Sequence, residues 1–509
     1  MQKRFDRGAA LVALAAVMTM AVLRAWHCDD AFISFRAVEQ LWLGHGPVFN
    51  AGERVQVFTH PLWFLVLAAW SGLGASLHPG AMVLGLLVFA AGLLALYVAF
   101  RDRLLTLAVV LAAMFFSRTV VDYATSGLET PLGFALAMAA VAGLRTGRRG
   151  LAVTALALLP LNRLDLVLWA LPFAMVVPVV TWRGRLVVLA ALAAPAAAWA
   201  LFSTLYYGSP LPNTALAKLS GDTIGRLDQG LSYLAASLLT DPGTLALVAF
   251  GVAVGIARWR SDRLVRAGTV ALLLSLVYVA WAGGDFMLGR FMLPAAWAGL
   301  VVLLAGVPAP RIYATDRRWL AALAALLALA QLVSGHSTLR LQVVAFPQPD
   351  SWGRNYHGAL DERRFYLPWM GLFARTPLRD LPFVSSAPAP TDPELTWAMG
   401  AHAYLRPRDH AIVDHFALAE PFLARIRPLP GGRPGHGFRP VAESFWRWRD
   451  PAHVFGDARL DALAHDLRLA HRSPDLLSWE RGAAILRLLR ERRIAIDAIH
   501  VSREGEWMN

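Results

Sequence analysis

Cysteine is nearly absent: Cys28 is the only one in 509 residues, so the chain can form no internal disulfide. No partner motif surrounds it, so it reads as a small half-buried side chain rather than a reactive thiol. Lysine is almost as scarce, with Lys3 and Lys218 the only two among 48 basic residues. Charge is thin overall. Charged residues make up 16% of the chain against 57% hydrophobic, with a mean hydropathy of +0.48, which excludes an ordinary soluble globular protein. The net charge of +13 is not a nucleic-acid signal, because no nucleic-acid-binding fold is recognisable. Many of the arginines sit instead in short loops between apolar runs, where they orient membrane spans.

What is present is a series of long apolar stretches. They fall near residues 8–25, 80–100, 104–116, 130–144, 151–161, 165–181, 186–206, 241–257, 265–281, 291–307 and 319–334. Several are long enough for a hydrocarbon core of about 30 Å. Taken at face value they predict about eleven transmembrane helices. The basic start and apolar run of the N-terminus suggest a signal peptide, but no small-x-small site precedes Arg24-Ala-Trp, so it is expected to remain as the first span. Arginine clusters at 101/103, 145/148/149, 183/185, 258/260/263 and 311/317/318 mark cytoplasmic turns. The stretch 61–77 is apolar but broken by glycines and is expected to lie at the interface. Past Ser334 the composition turns to Arg, His, Pro, Asp and Trp. The expected organisation is therefore a mainly α, polytopic membrane domain over 1–334, followed by a soluble α/β domain over 335–509 on the external side.

That topology puts six polar segments on the external face: HCDD at 27–30, GHGPVFN at 44–50, DYATSGLETPL at 122–132, LNRLD at 161–165, YYGSPLPNTALAK at 206–218 and GGDFMLGRFMLP at 283–294. Acid, base and amide groups gathered on one side are expected to build one composite site. Asp29 and Asp30 directly follow the first span, where a carboxylate is costly and usually functional. Such a group can accept a proton from an acceptor hydroxyl while a sugar leaves a phosphate. Helix capping is the competing use of either residue. The pair lacks supporting metal-ligand spacing, which makes it weak evidence for a divalent cation, and no metal ligand is assigned. Arg36 lies two turns into the following helical pattern, suited to pairing with an Asp or touching ligand. Lys218, Arg290 and Arg163 are the cations suited to a donor phosphate; pairing of the arginines with Asp285 and Asp165 is the rival use. Asn213 and Thr214 can bond sugar hydroxyls or simply form a Pro-Asn turn. Glu129, at a helix start, can meet ligand or the helix dipole. His45 and His60 complete the polar set as substrate-contact candidates.

Together DDAFISFR, GHGPVFNAGERVQVFTHPLW, SGLETPL, the RLD at 163–165, YGSPLPNTALAK and GGDFMLGRF resemble the terminal arabinofuranosyltransferases of the mycobacterial cell wall (AftB type) and the related pilin arabinosyltransferases. In the C-terminal part, IVDHFALAEPFLARI and RPGHGFRP are similar to the same pattern. The resemblance covers about 24–440 and implies an inverting GT-C glycosyltransferase in the bacterial inner membrane, with site and C-terminal domain on the periplasmic face. It further implies a polyprenyl-phosphate sugar donor, a glycan or glycoprotein acceptor, and Asp29 (or Asp30) as base. Where the family often has Arg-Pro-Asp, this chain has Arg163-Leu164-Asp165. A transporter or flippase of lipid-linked sugar is the alternative; it predicts charges within spans and repeated halves, which the sequence does not display.

The C-terminal part carries fewer signals. Trp352, Trp397, Trp446 and Trp448 suit a core or sugar stacking. SWGRNYHG at 351–358 and PGHGFRP at 434–440 have the look of ligand loops, with His436 as the chosen contact. Helices are expected near 457–472 and 479–492.

Overall fold

In the computed structural model, residues 2–218, 223–307, 338, 359–384, 393–426, 428, 437, 439 and 445–490 are described. The chain is mainly helical. Every apolar run expected up to residue 307 is a helix at about its expected place, from Gln2–Leu23 to Leu293–Gly306. The run 319–334 lies outside the described residues. The expected eleven spans are not confirmed. Four helices are long and apolar enough to cross a membrane: Arg4–Leu23, Gly80–Phe100, Trp182–Tyr207 and Arg263–Ala282. Gly225–Thr240 and Pro242–Ala257 would together make a fifth, but they meet at 110°. The cause of that corner is local: Asp241 caps Thr244 N–H, and Pro242 can only begin a helix, not continue one. The remaining apolar helices are shorter, such as Val167–Met175 where a run to 181 was expected.

The chain packs as two compact units that interleave in sequence. The first comprises Met1–Cys28, Ser76–Ala196 and Thr223–Thr376; the second comprises Asp29–Ala75, Ala197–Asp222 and Pro377–Asn509. The compositional break near 334 and the packing boundary therefore differ.

Within the first unit, small residues let helices approach closely, as expected where lipid supplies little hydrophobic drive between them. A Cβ on Gly251 would come within 2.7 Å of the Gly299 Cα. One end of this unit is tied by charge. Arg24 grips Asp122 through Nε (2.5 Å) and Nη2 (2.9 Å), Arg118 grips Asp361 (2.6 Å), and Arg363 donates to the Arg24 carbonyl (2.9 Å). Arg118, Asp122, Asp361 and Arg363 help enclose a cavity of about 20 Å³, room for one water.

The second unit is built on the helices Asp29–Trp42 and Pro61–Gly72, on the end of Trp182–Tyr207, and on C-terminal segments. The helix Pro61–Gly72, expected at the interface, is short and apolar, with Pro61 in its first turn. Strand is scarce among the described residues. Glu394–Thr396 pairs in parallel with Ile412–Asp414, which does not amount to the α/β domain expected. The helices Ala458–Arg472 and Trp479–Arg490 stand where the sequence places them, the first capped by Asp457.

Candidate functional site

The polar residues singled out from the sequence fall into two clusters, one in each unit.

In the second unit, Asp29 and Asp30 open the helix Asp29–Trp42, where a carboxylate also suits the positive end of the helix dipole. Both are half-buried. Asp29 Oδ1 accepts the backbone N–H of Ala401 at 2.9 Å, across 372 residues of chain. Gly400 lies against the same carboxylate: a Cβ there would fall on Asp29 Cγ, Oδ2 and the main-chain oxygen. Burial pushes the Asp29 carboxyl up to about 7, with neighbouring Asp30 adding to the rise and the Ala401 and Gly400 N–H groups opposing it.

Arg36, two turns along, proves to be a structural clamp. Its Nε donates to Phe49 O, Nη1 to Ala403 O (2.6 Å) and Arg406 O, and Nη2 to Pro407 O and His410 O (2.8 Å). A guanidinium has five N–H donors, and here each meets a backbone carbonyl. None remains for a carboxylate or a ligand, so neither expected use of Arg36 fits. His45 Nδ1 lies 2.6 Å from Gln40 Oε1, and His60 Nε2 lies 2.9 Å from Ser34 Oγ. Asn213 donates to Ala417 O (2.8 Å) and Leu418 O (3.2 Å), which makes it a tie to the 412–426 segment. The buried Thr214 hydroxyl has no hydrogen-bond partner among the described residues. Lys218 ends the helix Asn213–Lys218, and its side chain lies outside the described residues, as do His436 and Trp352. Trp448 is core, donating to Glu420 Oε1 at 2.7 Å, whereas Trp397 is exposed.

In the first unit, five predicted residues form one network. Arg163 takes Asp165 with two bonds (2.6 and 2.8 Å) and Glu129 with one (3.2 Å). Arg290 takes Glu129 (3.2 Å) and Asp285 (3.4 Å). Glu129 thus holds both arginines, and three carboxylates outnumber two guanidiniums. All but Asp165 are buried. The rival reading of these arginines as partners of Asp165 and Asp285 is the one the geometry favours. In the same unit the Cys28 N–H donates to Ser126 O (3.0 Å), seating the end of the first polar segment on the SGLET motif. Cys28 itself is fully buried. Among the described residues no group of three or more His, Cys, Asp or Glu could hold a metal ion.

Sequence reasoning missed Gly400 and Ala401, which have no chemistry of their own and touch Asp29 only through the fold. It also missed the Arg24–Asp122–Arg118–Asp361 network. Buried arginines facing Asp122, part of a motif already singled out, were the available signal.

Comparison with known proteins supplies the remaining evidence. The chain is 28% identical over 397 residues to the terminal β-(1→2)-arabinofuranosyltransferase of Corynebacterium glutamicum, covering 68% of this chain and 55% of that protein. It is 29% identical over 416 residues to the protein of the same name from Mycobacterium tuberculosis, covering 67% of this chain and 62% of that one. The chain resembles the terminal arabinofuranosyltransferases. It spans between about half and three fifths of the length of these curated relatives. No family profile and no solved structure matches it. The relatives and the apolar helices together mark a membrane protein.

Proposed function

We propose that this chain is an inverting membrane glycosyltransferase that moves arabinofuranose from a polyprenyl-phosphate donor to an envelope glycan or glycoprotein on the external face. The observation that carries this reading is the Asp29 carboxyl: oriented by a backbone N–H and pushed up to about 7 by burial. A general base is most effective when its pKa lies near the working pH. The names of the two relatives supply the sugar class.

In this mechanism Asp29 takes the proton from the acceptor hydroxyl as that oxygen attacks the anomeric carbon. The bond from that carbon to the phosphate oxygen breaks on the opposite face, and polyprenyl phosphate leaves with the electron pair. One displacement inverts the centre. Oδ1 is engaged by the Ala401 N–H and the Gly400 N–H bonds the same carboxylate, so the proton is received on the lone pair these two bonds leave open. Asp30 keeps the site acidic and raises the basicity of its neighbour. Lys218 is the cation proposed for the donor phosphate, since a compact ammonium suits a phosphate as a point charge. Arg290 and Arg163 are second candidates; they would reach a phosphate only by exchanging a carboxylate for it.

The test is direct. Purified protein is given labelled polyprenyl-phosphoryl arabinofuranose and an arabinan acceptor. Transfer by the wild type, with loss in Asp29→Asn, supports the reading. No transfer by the wild type, or full transfer by both Asp29→Asn and Asp30→Asn, overturns it.

A further inference from the structure

We infer that the Gly400–Ala401 turn is the positioning element of the Asp29 carboxylate: the Ala401 N–H fixes Oδ1, and the missing Cβ of Gly400 keeps the place of Oδ2 open. This rests on the reading of Asp29 as the base. It gives the C-terminal part of the chain a role in the chemical step itself, apart from any part in holding the acceptor.

The geometry supports it at three levels. At the carboxylate, the Ala401 N–H meets Oδ1 at 2.9 Å, and any side chain at 400 would overlap Cγ and Oδ2. One turn away, the short helix Ala401–Leu405 is packed onto the helix Asp29–Trp42. Tyr404 stands edge-on to Phe32 and Phe35, with ring centroids 5.3 and 6.3 Å apart. Its hydroxyl donates to Glu39 Oε1 at 2.7 Å. Beyond that, Arg36 draws four carbonyls of the segment 403–410 onto the same helix. The helix that carries Asp29 therefore also carries the clamp that holds the turn over it. Fixing one oxygen of a catalytic carboxylate leaves a single orientation for the other, which is how a supporting shell raises the rate without touching substrate.

Among the described residues, the charge acting on Asp29 is that of Asp30. Asp30 lies beside Asp29 on its own helix. On the facing helix, His402 is turned to Glu394 (2.8 Å) and Tyr404 to Glu39. Loss of the Ala401 N–H removes a bond to the ionised form, so the Asp29 midpoint must rise.

Ala401→Pro tests this at a helix position that accepts proline: the N–H is lost, and the ring Cδ stands where that hydrogen met Oδ1, so the carboxylate loses both its bond and its seat. Two readouts are taken on the full chain in detergent. The first is the pH midpoint of the Asp29 carboxyl in infrared difference spectra, with Asp29→Asn as the blank. The second is kcat and KM for transfer. The inference predicts a midpoint raised by about one pH unit in Ala401→Pro, a fall in kcat and an unchanged acceptor KM. Gly400→Ala should lower kcat about tenfold or more, as a 1 Å misplacement does. An unchanged midpoint and unchanged kcat in folded Ala401→Pro would overturn the inference. If the wild type transfers no sugar, the enzymatic reading falls while the infrared midpoint still decides whether the turn positions Asp29.

Discussion

The two polar clusters use the same residue types to opposite effect. Around Glu129, opposite charges close on one another: Arg163 and Arg290 each spend their guanidinium on carboxylates within 3.4 Å. At Asp29 no arginine or lysine among the described residues faces the carboxylate; its fixed bond is a backbone N–H, and its near neighbour is another acid. The difference teaches that buried charge is not by itself a sign of chemistry. A paired network holds elements together, whereas an acid denied a counter-ion is held near neutrality and is ready to exchange a proton.

This contrast can be broken at several points. Asp29→Asn preserves the shape and removes the base, so transfer should fall about 10²–10⁴-fold while the protein stays folded. Initial rates with labelled donor give the answer. Glu129→Ala should act the other way round: it leaves two buried guanidiniums short of an acceptor and costs roughly 3–5 kcal/mol of stability. Thermal unfolding in detergent reads that loss, and a fully stable variant would show that the network is not closed. Arg36→Met strands five carbonyls and is expected to cost about 2–3 kcal/mol while leaving the donor KM alone. A raised KM with normal stability would restore Arg36 as a ligand contact. Gly251→Ala forces a Cβ against Gly299 and should cost about 1–3 kcal/mol without touching either cluster.

Stability should carry the same signature. A carboxyl raised from 3.8 to about 7 in the folded chain contributes stability that is complete below pH 3.8 and is lost as pH rises toward 7. Asp29→Asn lacks this loss, so it is expected to be more stable than the wild type at pH 8 and not at pH 4. Paired melts at the two values check the sign.

Much of this was legible in the sequence because it is local. Apolar runs located most of the helices up to 307, but not Thr223–Thr240, which lies between two expected runs. Helix lengths were less legible, since an apolar run such as 165–181 continues past the point where the helix stops at Met175. The five residues of the Glu129 network were all visible as polar groups at helix ends, but their pairing was not. Arg163 and Asp165 are neighbours in sequence, whereas Arg290 reaches Glu129 across 161 residues. Arg36 looked like a ligand contact because sequence shows a charge and not the carbonyls that consume it. Gly400 and Ala401 gave no signal at all, for their role is a backbone N–H and an absent Cβ.

The pH dependence of kcat between pH 5 and 9 tests the central claim most directly. The account predicts a rate that rises with pH through a midpoint near 7, the value of the Asp29 carboxyl. A rate that stays flat across that range, as an ordinary carboxylate ionised near 4 would give, would contradict it.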